Sequence, residues 1–326
     1  MNLDVQILNA LRQAGEGAVS GAELAQQFGV SRAAVWARIK ELRSLGYEIE
    51  ASPHQGYRLV SAPDLLHADD LLSRLGKTNV IGRDIRVFHQ TTSTNDIVEK
   101  LARDLVKEGV VVFAESQTSG RGRLGRKWVS PPKKGLWFSV LLRPALRPQE
   151  TTQLMVAAAT ALRRAIEGQT GLRTEVKWPN DILVGGKKVA GILTEMHGEL
   201  DQVKHVVLGI GVDVNLSAGD FPAELRKSAT SLKIELGKAV SRAELAVEIL
   251  RELDADYARV RSGSFASVAD EWETHCTTIG RRVAIQLGPR QIRGQAESLG
   301  EDGALLLRTE HGHIERILGG DVTLEK

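Results

Sequence analysis

The sequence predicts an α+β protein in three parts, and three observations lead to that class. Residues 4–45 carry apolar side chains at helical spacing and run into two short strands. Residues 85–275 mix strands and helices, with a hairpin signal among them. From Gly280 onward only short strands separated by glycine-containing turns remain. At 326 residues and 42% hydrophobic content the chain is long enough to bury the cores of two or three domains. Lys plus Arg (43) against Asp plus Glu (41) leaves a net charge of +2, so any basic site is local and a chain-wide nucleic-acid coat is excluded. The single cysteine, Cys276, excludes an internal disulfide and a cysteine-based metal cage. No run approaches ~18 apolar residues, and MNLDVQILNA has no basic stretch ahead of its apolar residues. The expected compartment is the cytoplasm, without membrane association.

In the first part, Val5, Leu8 and Leu11 define one helix and Leu24, Ala25 and Phe28 a second. Gly29 and Val30 make a tight turn, Ser31 is placed to cap a third helix, and Val35, Ile39 and Leu42 face it inward. Residues 47–50 and 57–60, joined across 52–56, read as a hairpin. Three helices and a hairpin describe a winged helix-turn-helix, whose third helix would enter a major groove. The candidate DNA-contacting residues are Ser31, Arg32, Ala33, Trp36, Arg38 and Lys40. The other reading is a protein-interaction module with a solvated basic face.

Residues 61–64 read as a linker, which divides the chain into 1–62, 63–276 and 277–326. The central part is expected to hold strands near 85–89, 110–115, 136–142, 176, 182–184, 189–194 and 206–215. Helices are expected over 95–106, 149–167, 242–260 and 265–275. Gly185 and Gly186 supply a hairpin turn, and a mixed or antiparallel sheet with helices packed on it follows. The last part is expected to be a small all-β barrel.

The chemistry concentrates in residues 115–128, ESQTSGRGRLGRKW. Glycine permits close backbone approach and arginine offers paired donors to an anion, so the run reads as a flexible phosphate-binding loop. A solvated basic turn is the bland alternative. Gly120, Gly122 and Gly125 satisfy G-x-G-x-x-G, yet Lys127, Trp128, Pro131 and Pro132 leave no room for the helix a dinucleotide site needs. Three further clusters are polar where a plain core would be apolar: residues 91–95, residues 177–181, and Lys188 at the head of an apolar strand.

Together these elements resemble the bifunctional biotin protein ligases that also repress the biotin operon. The match rests on TSTN (92–95), GRGRLGRKW (120–128), KWPND (177–181), KVAGIL (188–193), GIG followed by Asn215, and ATSL (229–232). The resemblance implies a central domain like that of class II aminoacyl-tRNA synthetases and biotin ligases, and an SH3-like C-terminal barrel. It also implies biotin and ATP as substrates, Mg2+ carried by ATP with no protein metal site, and a biotinyl-5′-AMP intermediate. The implied partners are the biotin carboxyl carrier protein of acetyl-CoA carboxylase, operator DNA, and a second copy of the chain once adenylate is bound.

By motif position, the biotin site comprises Ser93, Thr94, Asn95, Gln117, Gly120, Arg121, Gly122, Arg123, Lys188, Gly191 and Ile192. The nucleotide site comprises Arg123, Arg126, Lys127, Trp128, Asn180, Asp213 and Asn215. Lys188, Arg121, Arg123 and Asp181 carry the catalytic roles. Asp213 stands where the family usually has asparagine, and an ionised aspartate accepts hydrogen bonds without donating any. A lipoate ligase would share the scaffold without this arginine loop, and a sensor without turnover would have lost a loop arginine or the strand lysine.

Overall fold

A computed structural model describes residues 2–52, 55–199 and 201–325, which form two compact units, Met1–Gly76 and Lys77–Lys326. In the first unit, α1 (Leu3–Gln13), α2 (Gly21–Phe28) and α3 (Arg32–Ser44) precede β1 (Glu48–Ser52) and β2 (Gly56–Ser61). Ser20 and Glu23 form a reciprocal cap on α2, and Gly29 ends that helix at a φ of 65°. Ser31 accepts from the Ala34 N–H, as the sequence predicts. Ile7, Leu8, Leu11, Leu24, Val35, Ile39 and Leu42 close the core. The wing is tied back to the helices by reciprocal bonds between Val19 and Tyr57, at 2.9 and 2.8 Å. Residues 53 and 54, in the expected hairpin turn, lie outside the described residues. A further helix, α4 (Ala68–Leu75), follows the expected linker and packs on α1.

The second unit is built on a seven-stranded mixed sheet. Its strands in chain order are β3 (Asp84–Phe88), β4 (Val110–Ala114), β5 (Leu136–Leu142), β6 (Glu175–Lys177), β7 (Asp181–Val184), β8 (Lys187–Gly198) and β9 (Val203–Val212). Their order across the sheet is β3-β4-β5-β9-β8-β7-β6, with only β3 and β4 parallel. Gly185 and Gly186, at φ of 56° and 76°, turn β7 into β8 as expected. Strand β8 runs on past the expected end at 194, because Glu195, Met196 and His197 pair with β9 despite their polarity or exposure.

Helix α5 (Thr94–Arg103) lies over β4, β5 and β9, where Val98, Ala102, Val112, Leu141 and Val207 form a core. Helix α6 (Thr152–Thr170) packs on β6, β7 and β8 and against α8 (Arg242–Arg261) and α9 (Phe265–Thr274). A short α7 (Leu232–Leu236) is capped by Ser231. The C-terminal strands β10 (Arg282–Leu287), β11 (Arg290–Leu299), β12 (Leu305–Thr309), β13 (Ile314–Ile317) and β14 (Asp321–Leu324) pair in an antiparallel sheet ordered β13-β12-β11-β10-β14. Among the described residues no helix is long and apolar enough to cross a membrane.

Candidate active site

The register of the central sheet sets three glycines on one face: Gly191 pairs with Gly211, and Leu193 with Gly209. With no side chains there, that face forms the floor of a cavity of about 570 Å3. What lies over the floor is tightly fitted. A Cβ on Gly209 would stand 2.3 Å from Asn95 Oδ1, one on Gly211 2.5 Å from Trp128, and one on Gly191 2.8 Å from Trp128 and 3.1 Å from Lys188 Nζ.

One wall comes from the start of α5. The Thr94 N–H donates to Gln117 Oε1 at 2.8 Å, and the Thr94 hydroxyl lies 2.7 Å from Ser139 Oγ. Ser139 donates to Asn95 Oδ1 at 2.5 Å, while Asn95 Nδ2 donates to Glu195 at 2.8 Å and Gln117 Nε2 to Ser130 Oγ at 2.9 Å. Thr94 and Asn95 are therefore buried in a connected polar network that fixes their rotamers, and Ser93 is buried beside them.

The glycine-rich run forms the roof. It is a closed hairpin rather than an unstructured loop. Gly122 N–H donates to Arg126 at 2.6 Å, Trp128 N–H to Gly120 at 2.9 Å, and Arg121 bridges Lys127. A 3-10 turn, Arg123–Gly125, carries Leu124 at a φ of 56° and leaves it 69% exposed at the tip. No α-helix follows, in agreement with the exclusion of a dinucleotide motif. Arg121 is paired with Asp96 at 2.6 Å and Glu195 at 3.3 Å. Arg123 donates to Asn180 Oδ1 at 3.3 Å, and burial lowers its pKa against the pull of Asp321 and Asp181. Arg126 pairs with Asp321 on β14.

On the far wall Lys188 Nζ lies 2.6 Å from Asp181 Oδ1 and 5.1 Å from the centre of the Trp128 ring. The lysine is thus turned into the cavity, not out along the surface. Asn180 fixes this wall by donating to the Ile192 carbonyl at 2.8 Å. Asp213 is buried beside Lys188, and burial pushes its carboxyl well above the usual range while Lys188 pulls it down. An ionised Asp213 only accepts hydrogen bonds, whereas a protonated one gains a single O–H donor against the two N–H donors of an asparagine.

Of the ligand residues expected in this unit, Gly120 and Asn215 do not line the cavity. Gly120 packs under the hairpin, where a Cβ would meet the Trp128 carbonyl at 2.5 Å. Both polar atoms of the Asn215 side chain bond the Val240 backbone at 2.9 Å and clamp the approach to α8. Ser139, Glu195, Asp96 and Ser130 escape the sequence reading, although a lone serine in LWFSVLL is a visible signal.

In the first unit, Ser31, Arg32, Ala33, Trp36 and Lys40 are exposed on α3, with Trp36 at 56% and Lys40 Nζ 5.6 Å over its ring. Arg38 instead gives Nε and Nη2 to Asp4, each at 2.7 Å.

A glycine-floored cavity roofed by arginines, in a chain that also carries a helix-turn-helix unit, suits a ligase joined to a regulatory domain. The profile of the Biotin/lipoate A/B protein ligase family matches residues 87–213, that of an HTH domain residues 5–58, and that of the Biotin protein ligase C terminal domain residues 278–324. The chain belongs to the biotin protein ligase family. It is 38% identical over 318 residues to the Bifunctional ligase/repressor BirA of Bacillus subtilis, covering 98% of this chain and 97% of that protein. Against the protein of the same description from Escherichia coli it is 30% identical, covering 94% and 92%. The biotin protein ligase from Aquifex aeolicus, solved in complex with biotin and ATP, superposes with a TM-score of 0.63 at 32% identity, over 75% of this chain and 99% of that one.

Proposed function

We propose that the protein joins biotin to ATP, releasing pyrophosphate and forming biotinyl-5′-AMP, and then passes the acyl group to a lysine of a biotin carboxyl carrier protein, forming an amide and releasing AMP. The observation that carries this reading is the placement of Lys188 in the same cavity as the arginine hairpin, over a glycine floor. Attack of a carboxylate on the α-phosphate brings two anions together, and fixed cations at that point offset their repulsion. Ser93, Thr94, Asn95 and Gln117 hold the ring and chain of biotin, and Gly191 and Ile192 admit its backbone-side contacts. Arg121 and Arg123 orient the adenylate, while Arg126, Lys127, Trp128, Asn180 and Asp213 surround the nucleotide.

Lys188 neutralises the reacting carboxylate and phosphate oxygens. In the second step Asp181 orients or deprotonates the acceptor lysine. The donor set suits Mg2+ brought in by ATP: Asp181 and Asp321 already face Lys188 and Arg126, which leaves magnesium to the nucleotide phosphates. Transfer of labelled biotin to an isolated carrier domain, with lipoate as competitor, tests the assignment. Efficient lipoate transfer would replace it.

We further assign DNA contact to residues 1–62, ligase chemistry to the part of 63–276 that lies in the second unit and an accessory role to 277–326, in a cytoplasmic protein. Adenylate binding promotes a homodimer, and the exposed side chains of α3 then engage a pseudo-palindromic operator. Arg38 serves there by holding α3 to α1 through Asp4. Gel retardation with and without biotin plus ATP reads this directly, and equal affinity in both conditions would count against it.

A further inference from the structure

One turn along α5 from Asn95, the same face of the sheet carries a second polar cluster that the ligase chemistry does not use. His197 on β8 and His205 on β9 are direct register partners. Their rings stack with centroids 4.8 Å apart and planes 8° from parallel. Glu99, four residues after Asn95, reaches down from α5 to both. Its Oε2 lies 2.8 Å from Nε2 of His205 and 3.1 Å from Nε2 of His197. Three ligating atoms from three elements thus converge within 4.8 Å of one another.

We propose that Glu99, His197 and His205 form a binding site for a divalent first-row transition metal, with Zn2+ the best suited. Two imidazole nitrogens and one carboxylate oxygen are the donor set of open zinc sites, and imidazole disfavours Mg2+ and Ca2+. The ligand carboxylate already has an orienting partner: Arg103 Nε donates to Glu99 Oε1 at 3.0 Å, leaving Oε2 to the histidines. His205 is buried and Glu99 half-buried, while the His197 side chain is 46% exposed. The outer side therefore stays open to solvent, which supplies the remaining ligand. Bound metal would pin α5 to β8 and β9, and the first turn of α5 carries Thr94 and Asn95 of the cavity wall. The site stands independently of the ligase assignment.

The test is titration of the chelator-treated full-length protein with Co2+ and Zn2+, with Mg2+ as the control. One Co2+ per chain is expected, with the intense visible absorption of low-coordinate cobalt, displaced by one equivalent of Zn2+ and untouched by Mg2+. Replacing both histidines (His197→Ala, His205→Ala) should weaken binding by at least about 100-fold, and Glu99→Gln, which keeps the side chain's size, should weaken it in the same direction. A paired His311→Ala, His313→Ala variant should bind as the parent does. A parent-like circular dichroism spectrum and a cooperative thermal melt verify that each variant is folded. Absence of stoichiometric Co2+ binding, or unchanged affinity after loss of both His197 and His205, would overturn the site and leave two histidines hydrogen-bonded to a glutamate.

Discussion

Arg242, fully buried at the start of α8, donates to Glu115 Oε2 at 2.6 Å and to the Gly135 carbonyl at 3.3 Å. Those two residues bracket the whole active-site hairpin, so one guanidinium holds both of its roots. Removing one partner of a buried ion pair leaves the other charge desolvated, which costs about 3–5 kcal/mol. Glu115→Ala should lower the urea midpoint accordingly. Replacing both residues with apolar ones of similar volume (Glu115→Leu, Arg242→Met) should recover most of the loss. A Glu115→Ala midpoint equal to that of the parent would show that the pair does not hold the hairpin.

Much of this was legible in the sequence where periodicity or backbone chemistry leaves one solution. Leu8, Leu11, Val35 and Ile39 at helical spacing define the core of the first unit, and the Gly185-Gly186 pair defines the β7–β8 turn. The orientation of Lys188 was not legible, because a lysine beside an apolar strand end can equally snorkel outward. Its direction follows from pairing across the sheet with Asp181, a partner seven residues away. Asn215 shows the converse. A motif position placed it at the nucleotide, but its amide is occupied by the Val240 backbone. Helix α4 was missed because the preceding Ser-Ala-Pro-Asp run looks like an interdomain linker, whereas Asp70 within α4 pairs with Arg12 of α1.

Lys188 is the cation whose removal should be felt most in the chemical step. Its exposed alternatives, Arg126 and Lys127, sit on the roof, while its ammonium is held against Asp181 at the wall. Loss of one charge-stabilising donor costs ~2.7–4 kcal/mol in comparable sites. Lys188→Ala should therefore slow pyrophosphate release on the order of 10²-fold or more, with the thermal midpoint little changed because the pair is partly solvated. Near-normal pyrophosphate release would remove Lys188 from the mechanism.

Asp213 gives a pH signature of definite sign. Burial raises its carboxyl pKa in the folded protein, against the opposing pull of Lys188, so the fold binds this proton more tightly than the unfolded chain does. Its effect on stability is absent below the unfolded value of about 3.9 and becomes a growing penalty as pH rises towards the folded value. An amide does not titrate. Asp213→Asn should therefore melt higher than the parent at pH about 7, and the gap should close as pH falls towards about 4. Because the protonated acid and the amide are both neutral and each can donate and accept, the KM for ATP should change little below the folded pKa. A stability gap independent of pH would mean that Asp213 is ionised in the fold.

Gly209 and Gly168 separate a glycine required by the site from one that is not. A methyl at Gly209 would stand 2.3 Å from Asn95 Oδ1, and Asn95 cannot retreat without losing its bonds to Ser139 and Glu195. Each buried hydrogen bond left unmade costs about 1–3 kcal/mol, and 1.4 kcal/mol is tenfold in affinity. Gly209→Ala should accordingly weaken biotin binding by about 10-fold or more, read by calorimetry or fluorescence titration. Gly168 lies on the exposed side of α6 with nothing within 4 Å of its would-be Cβ. Gly168→Ala should leave biotin affinity unchanged and raise stability by about 0.5–1 kcal/mol, the helix-propensity gain of alanine over glycine. Equal biotin affinities for the two variants would show that the Asn95 network does not shape the biotin pocket.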